Sequence, residues 1–284
     1  MDFLTSSSAY LTVLALFAAG ALGALLLRRN DRAANAWSHW MAIAGSAAGL
    51  IFSGAVFYEG VTPTFGVMSS LPLLSLFFRV DRLSAFFMLV ISMVALLCSV
   101  YALGYVRHYY GRYSIGVLGF FYNIFIASMI IVVTSHNALF FLIAWEVMAL
   151  ASYFLVVYEN RESSSIRAGS LYFIMTHAGT VFIIIAFLLM YRSAGSFDFG
   201  ALRDGLAGAS PLMKNAIFVS ALIGFGAKAG IIPLHIWLPS AHPAAPSHVS
   251  ALMSGVMIKT GIYMMIRIYL DFLPGSYLWW GLAL

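Results

Sequence analysis

Charge is scarce in this sequence. Asp, Glu, Lys and Arg together make up 9% of its 284 residues against 62% hydrophobic ones, and the mean hydropathy is +0.95. A soluble domain of this length has too little interior to hide so much apolar surface, so a water-soluble globular fold is excluded. Cysteine is scarcer still. Cys98 stands alone inside an apolar run, which leaves neither a disulfide framework nor a cysteine metal site. His235, His242 and His248 lack any recognised zinc spacing and are separated by prolines. No metal and no bound cofactor is therefore expected. The net charge of +5 comes mostly from loop arginines, which suit anionic lipid headgroups and form no surface for nucleic acid.

What the sequence does contain is long apolar runs. Crossing about 30 Å of hydrocarbon takes roughly 20 helical residues. Windows of that kind lie near 9–27, 38–58, 83–106, 114–134, 137–157, 168–190, 215–234 and 247–269, and a ninth begins near Tyr277 and is cut by the chain end at Leu284. The fold expected is an all-α, polytopic transmembrane helical bundle of about eight complete spans plus a partial ninth. The whole of 1–284 forms a single transmembrane domain. Loops are short except for 59–82, which reads as an irregular or hairpin excursion, and 191–214, which reads as a surface loop with a short amphipathic helix.

Asp2 precedes the first run and Arg28, Arg29 and Arg32 follow it. That order predicts a retained helix with its amino terminus outside, in a multi-pass protein of the cell's inner (plasma) membrane.

Within the spans, ionisable residues stand out because each is costly. A charge at a helix centre costs about 2.5 to 3.5 kcal/mol on insertion scales. Glu146, in AWEVMALASYFLV, is the acidic residue central in a span; Lys228 and Lys259 are central too, and His177 is deep in YFIMTHAGTVFIII. A carboxylate and two amines at one level can share charge. Burial disfavours an ammonium and a nearby carboxylate restores it, so moving Glu146 towards or away from Lys228 could load or release a proton. Two readings stand side by side: a switchable proton site, or a static Lys–Glu pair that fixes helix register. For His177 they are a proton relay or a bond to a neighbouring helix. Ser152 and Tyr153 are read as packing residues that could also hold water.

The seventh run carries Gly224, Gly226 and Gly230 around Lys228, then Pro233, Pro239 and Pro243. Proline inside a helix frees a carbonyl, and broken backbone at membrane depth is tolerated only where protein or a watery cavity satisfies it. A helix broken at Pro233 and Pro239 is expected, the alternative being a span that ends at Pro233 before an ordinary loop. Gly224 to Lys228 has no Ser or Thr after the lysine and is not a phosphate loop.

The stretch GFGAKAGIIPLHIWLPSAHPAAPSHVSALMSGVMIKTGIY, with AWEVMALASYFLV and, more weakly, VDRLSAFFMLV upstream, resembles the antiporter-like membrane subunits shared by respiratory complex I, membrane-bound hydrogenases and Mrp antiporters. Its wording is most similar to the branch of hydrogenase-4 component B and formate hydrogenlyase. The resemblance implies that Lys228 holds a proton at a broken seventh helix, that Glu146 modulates it, and that Lys259 passes protons along the membrane midplane. His235 and His242 match motif positions in and after the break. It implies a proton-translocating subunit coupled to redox chemistry elsewhere in a complex, with other membrane subunits, a peripheral redox arm, the lipid bilayer and H⁺ (or Na⁺) as partners. An Mrp-type cation/proton antiporter subunit and a truncated, non-transporting scaffold are the alternatives. Family members have about fourteen helices in two inverted repeats. On that pattern the chain holds the first repeat, about 114–270, and lacks the second, through truncation, a split gene or a partial sequence.

Overall fold

The structure, a computed structural model, describes residues 4–67, 73–273 and 278–283. Polar residues start the helices. Ser6, Asn30, Asp81, Asn137 and Ser210 each accept a backbone N–H from the first turn of the helix that follows. These caps open α1 (Ser7–Leu26), α2 (Asp31–Glu59), α3 (Arg82–Tyr105), a fifth helix α5 (Ala138–Val156) and an eighth, α8 (Pro211–Ala229). Between them lie α4 (Ile115–Thr134), α6 (Ser163–Ala194) and the short α7 (Phe199–Leu206). Among the described residues eight helical stretches are long and apolar enough to cross a membrane, matching the eight apolar windows.

Two windows understate their helices. Hydropathy starts the second span at 38, yet α2 begins at Asp31, because its first turns place Asn35, Ser38 and His39 in the interior. The sixth runs from Ser163 to Ala194 because its polar ends extend past the apolar stretch. The excursion after α2 contains a hairpin, β1 (Thr64–Val67) antiparallel to β2 (Leu76–Arg79), with Thr64 opposite Arg79; residues 68–72 lie outside the described residues. The helix expected in 191–214 is α7, which buries Phe199, Leu202 and Leu206.

The seventh span is broken as expected. After α8, Gly230 adopts a left-handed conformation with φ 78° that glycine tolerates, and a tight turn, Leu234–Trp237, leads into α9 (Leu238–Ala244). Pro233 sits in the break. Pro239 does not, and this corrects its assignment as a breaker. It occupies the first turn of α9, where a missing N–H leaves no bond unmade. The eighth span runs through α10 (Ser247–Leu252), a π-helical turn at Met253–Met257, α11 (Ile258–Arg267) and a second π turn at Ile268–Phe272. A last helix, α12 (Leu278–Ala283), falls in the partial ninth run; Tyr277, its expected start, lies outside the described residues.

Helices pack where small residues allow it. A Cβ added at Gly224 of α8 would lie 2.8 Å from the Ile183 amide nitrogen and 2.9 Å from the Gly179 carbonyl of α6, so these two backbones touch. Outward faces carry Leu11, Leu22, Ile51, Leu97, Ile174 and Leu188, all exposed on the bundle surface and suited to lipid. The two ends of the bundle differ. One gathers the hairpin, the α4–α5 turn and α7, where Phe78 bridges Ser135 and Asn137 bridges Asp198. The other gathers the arginine-bearing loops, tied by Asp31 accepting from the Gly111 amide and by Tyr109 donating to Glu159.

Candidate functional site

Lys228 is 2% exposed and stands in the last turn of α8, one turn short of the break. An interrupted helix brings its partially negative carboxyl end into the membrane interior, which favours a cation there. The freed Ala227 carbonyl accepts from the Trp237 indole at 2.8 Å, so the break supplies its own hydrogen-bond partner.

The Lys228 ammonium donates to the Tyr172 hydroxyl of α6 at 2.6 Å, and that hydroxyl is 2.6 Å from Ser152 Oγ of α5. Ser152 in turn donates to the Met148 or Ala149 carbonyl, at 2.8 and 2.9 Å. An ammonium only donates and a carbonyl only accepts, so a chain can run from Lys228 to Tyr172 to Ser152 to backbone, with Met257 Sδ, 3.6 Å away, a second acceptor for the Tyr172 hydroxyl. The ammonium also lies 4.9 Å from the Tyr172 ring centroid and 5.9 Å from that of Trp145.

Among the described residues Lys228 has no carboxylate within salt-bridge distance. Glu146, the expected partner, pairs instead with His177, Oε2 to Nε2 at 3.1 Å, each side chain 32% exposed. It stays within coulombic reach of Lys228. Neighbouring α5 and α6 bring Glu146 and His177 together. The pair carries a deducible proton. His177 Nδ1 lies 2.9 Å from the Phe173 carbonyl and must donate to it, so the contact at Nε2 holds one further proton, on the imidazole or on the carboxyl. Glu146 Oε1 is buried without a partner among the described residues.

The remaining predicted residues are spread along the same two spans. Lys259 donates to the Ser254 carbonyl, a group the adjoining π turn leaves free. His235 lies in the turn after the break, its Nδ1 buried with no partner among the described residues, and His242 in α9 meets Ser250 Oγ at 3.2 Å through Nδ1. Thus Glu146 and His177 form one group, Lys228, Tyr172 and Ser152 a second, and His242 with Ser250 a third, with Lys259 within coulombic reach of His242.

Tyr172 is the residue the sequence reading missed. One signal was there, since a buried tyrosine hydroxyl usually finds a partner and Tyr172 lies five positions before His177 on the same helix. Trp237 was missed for want of any signal that an indole would cap the broken helix.

Residues 135–284 match the family described as NADH:quinone oxidoreductase/Mrp antiporter, transmembrane. The chain belongs to this family. A second match, over 72–114, is to the complex I family described as NADH-ubiquinone oxidoreductase, chain 5 N-terminus. This antiporter-family chain is 45% identical over 272 residues to hydrogenase-4 component B of Escherichia coli K12, covering 95% of this chain and 40% of that protein. It is 32% identical over 250 residues to formate hydrogenlyase subunit 3 of the same organism, covering 88% and 39%. The chain therefore spans about 40% of the length of these relatives. An archaeal respiratory membrane complex, the membrane-bound sulfane sulfur reductase, contains a chain with the same fold at TM-score 0.78 and 19% identity, covering 98% of this chain and 56% of that one.

Proposed function

We propose that this chain is the amino-terminal part of a proton-translocating, antiporter-like membrane subunit of a membrane-bound hydrogenase or complex I-type oxidoreductase. Redox chemistry elsewhere in the complex drives the transfer, and the chain contributes Glu146, Lys228 and Lys259 with His177, His235 and His242. Other membrane subunits and a peripheral redox arm are its partners, and the arginine-bearing end faces the cytoplasm.

The observation that carries this reading is Lys228. A buried ammonium held by one hydroxyl, at the carboxyl end of a broken helix, is charged at a cost that its surroundings only partly offset. Such a group can give up its proton when a neighbouring charge shifts. The Glu146–His177 pair is the neighbour with a proton to move: delivering it to or from Glu146 changes the charge that Lys228 experiences. The two groups act as a loading site and its control, beside a helix break of the kind that marks ion pathways.

The test is Lys228→Ala in the full-length subunit within its assembled complex. Assembly and electron transfer persist and proton translocation is lost; unchanged pumping at normal assembly removes the proposal. A non-transporting scaffold predicts no change in either quantity. An Mrp-type antiporter predicts that an imposed Na⁺ gradient moves protons through Lys228 with no redox substrate present.

A further inference from the structure

Three imidazole nitrogens lie in the interior with no partner among the described residues, away from the cluster around Lys228. His39 of α2 is fully buried and His248 of α10 is 1% exposed, and their rings meet edge to face with centroids 5.8 Å apart. His39 Nδ1 is 2.9 Å from the Asn35 carbonyl, which can only accept, so Nδ1 carries the hydrogen and neutral Nε2 is a bare acceptor. That Nε2 and both nitrogens of His248 are buried with no partner among the described residues. A neutral His248 hides an N–H and a lone pair at once. Buried polar atoms of this kind are ordinarily satisfied by ordered water, and a water between these rings has partners on both sides.

The pair is walled by aromatics. The Tyr122 ring of α4 is 5.2 Å from His39 and 5.1 Å from His248; Tyr105 of α3 is 5.6 Å from His248, with His108 4.6 Å beyond. Ser99 engages the Tyr122 hydroxyl and Ser247 that of Tyr105, so neither phenol fills the unmet sites. Towards the arginine-bearing end, a cavity of about 660 Å³ between α2 and α3 is lined by Arg32, Asn35, Trp40, Arg107 and Tyr110. Asn35 links it to His39, and its side-chain oxygen is also buried without a partner. α10 also carries Ser250, on a different face from His248, and Ser250 contacts His242 of the broken span.

We propose that His39 and His248, bridged by water, form a proton-exchange site between the cavity at Arg32 and Arg107 and α10, the helix that follows the broken seventh span. It rests on the proton-transfer reading above and adds α2, a helix outside the region that carries Lys228. His39 binds and returns a proton at Nε2, the nitrogen left free, and His248 binds one at one nitrogen while its other nitrogen releases one to water, so charge balances without a further reactant.

The experiment uses the full-length subunit in its assembled complex, reconstituted in liposomes with a pH-sensitive dye, and compares His39→Gln, His248→Gln and Lys228→Ala side by side. Glutamine fills the space and forms hydrogen bonds but cannot relay a proton. Proton uptake is expected to fall about 100-fold in each glutamine variant with assembly intact, and added imidazole is expected to restore part of it in His248→Ala. If Lys228→Ala stops translocation while both glutamine variants pump normally, the di-histidine site is wrong and the functional reading stands. If Lys228→Ala itself pumps normally, the functional reading fails first. Should either glutamine variant not assemble, asparagine at the same position replaces it, and normal uptake in that variant overturns the site equally.

Discussion

Arg267 and Lys228 are both cations inside membrane-spanning stretches, and their surroundings could hardly differ more. The Arg267 guanidinium makes paired bonds of 2.5 Å to the two oxygens of Asp81, a bond of 2.7 Å to Asp271, and further bonds to Ser84 and the Tyr263 hydroxyl. Lys228 has the Tyr172 hydroxyl. An arginine cannot deprotonate, and two carboxylates with a planar fork fix it in place; a lysine with one neutral acceptor is free to change its charge. The contrast separates a charge that holds the bundle together from one that is available for transfer, and it lets the two roles be perturbed independently.

The largest effect is expected at Asp81. Besides pairing with Arg267 it caps α3, accepting from the Ser84 amide at 2.9 Å. Burial opposes its ionisation, but the bonds and charge of Arg267, helped by Ser84, hold the carboxyl below its ordinary range. Its stabilisation is thus complete above the ordinary carboxylate value and is lost only as pH falls below it. Removing Asp81 takes the paired bonds from a largely buried guanidinium, leaving it Asp271 alone as a carboxylate, and deletes the cap of α3, so Asp81→Ala is expected to cost about 3 kcal/mol, read as a lower thermal midpoint in detergent. Asp81→Asn keeps the cap and loses less. If the midpoint of Asp81→Ala is unchanged, Arg267 is not the structural anchor that the comparison makes it.

At the other pole, Tyr172→Phe deletes the hydroxyl that Lys228 donates to and leaves the ring on Trp237. A hydrogen bond to a charged group is worth about 1.5 kcal/mol, so translocation is expected to slow about 10-fold with stability little altered. A thermal loss as large as that of Asp81→Ala would show that the chain from Lys228 to Ser152 is scaffold.

The sequence exposed these two poles unequally. Lys228, Lys259 and Glu146 were legible because a charge in hydrocarbon is costly whatever surrounds it, and Gly230 and Pro233 because backbone chemistry marks a break. Partners were not legible. Tyr172, Ser152 and His39 are residue types that spans tolerate for ordinary packing, and which of them meet depends on how α5, α6 and α8 rotate against each other. Glu146 was therefore matched to Lys228 on depth, when the face it presents to α6 gives it His177. Asp81 and Arg267 stand 186 positions apart, and no sequence signal pairs them until the fold joins them.

The fixed charge of Arg267 also reaches beyond its own bonds, and this gives the smallest of the expected effects. His136, in the turn between α4 and α5, lines a cavity of about 250 Å³ with Arg79, Arg203 and Arg267. Burial first, and then the positive charges of Arg79 and Arg267, bring it from 6.5 down to about 4, against a weaker pull from Asp81 and Asp198. Between those two values the unfolded chain binds a proton there and the folded protein does not, so stability falls as pH drops from about 6.5 towards about 4 and is unaffected above that window. His136→Phe keeps the ring between Phe77 and Phe199 and removes the titration. Its thermal midpoint should match the parent at neutral pH and decline less on acidification. An unchanged acid slope would mean that the field of the arginine cluster does not govern this turn, and that the immobile pole of the comparison acts only through its direct bonds.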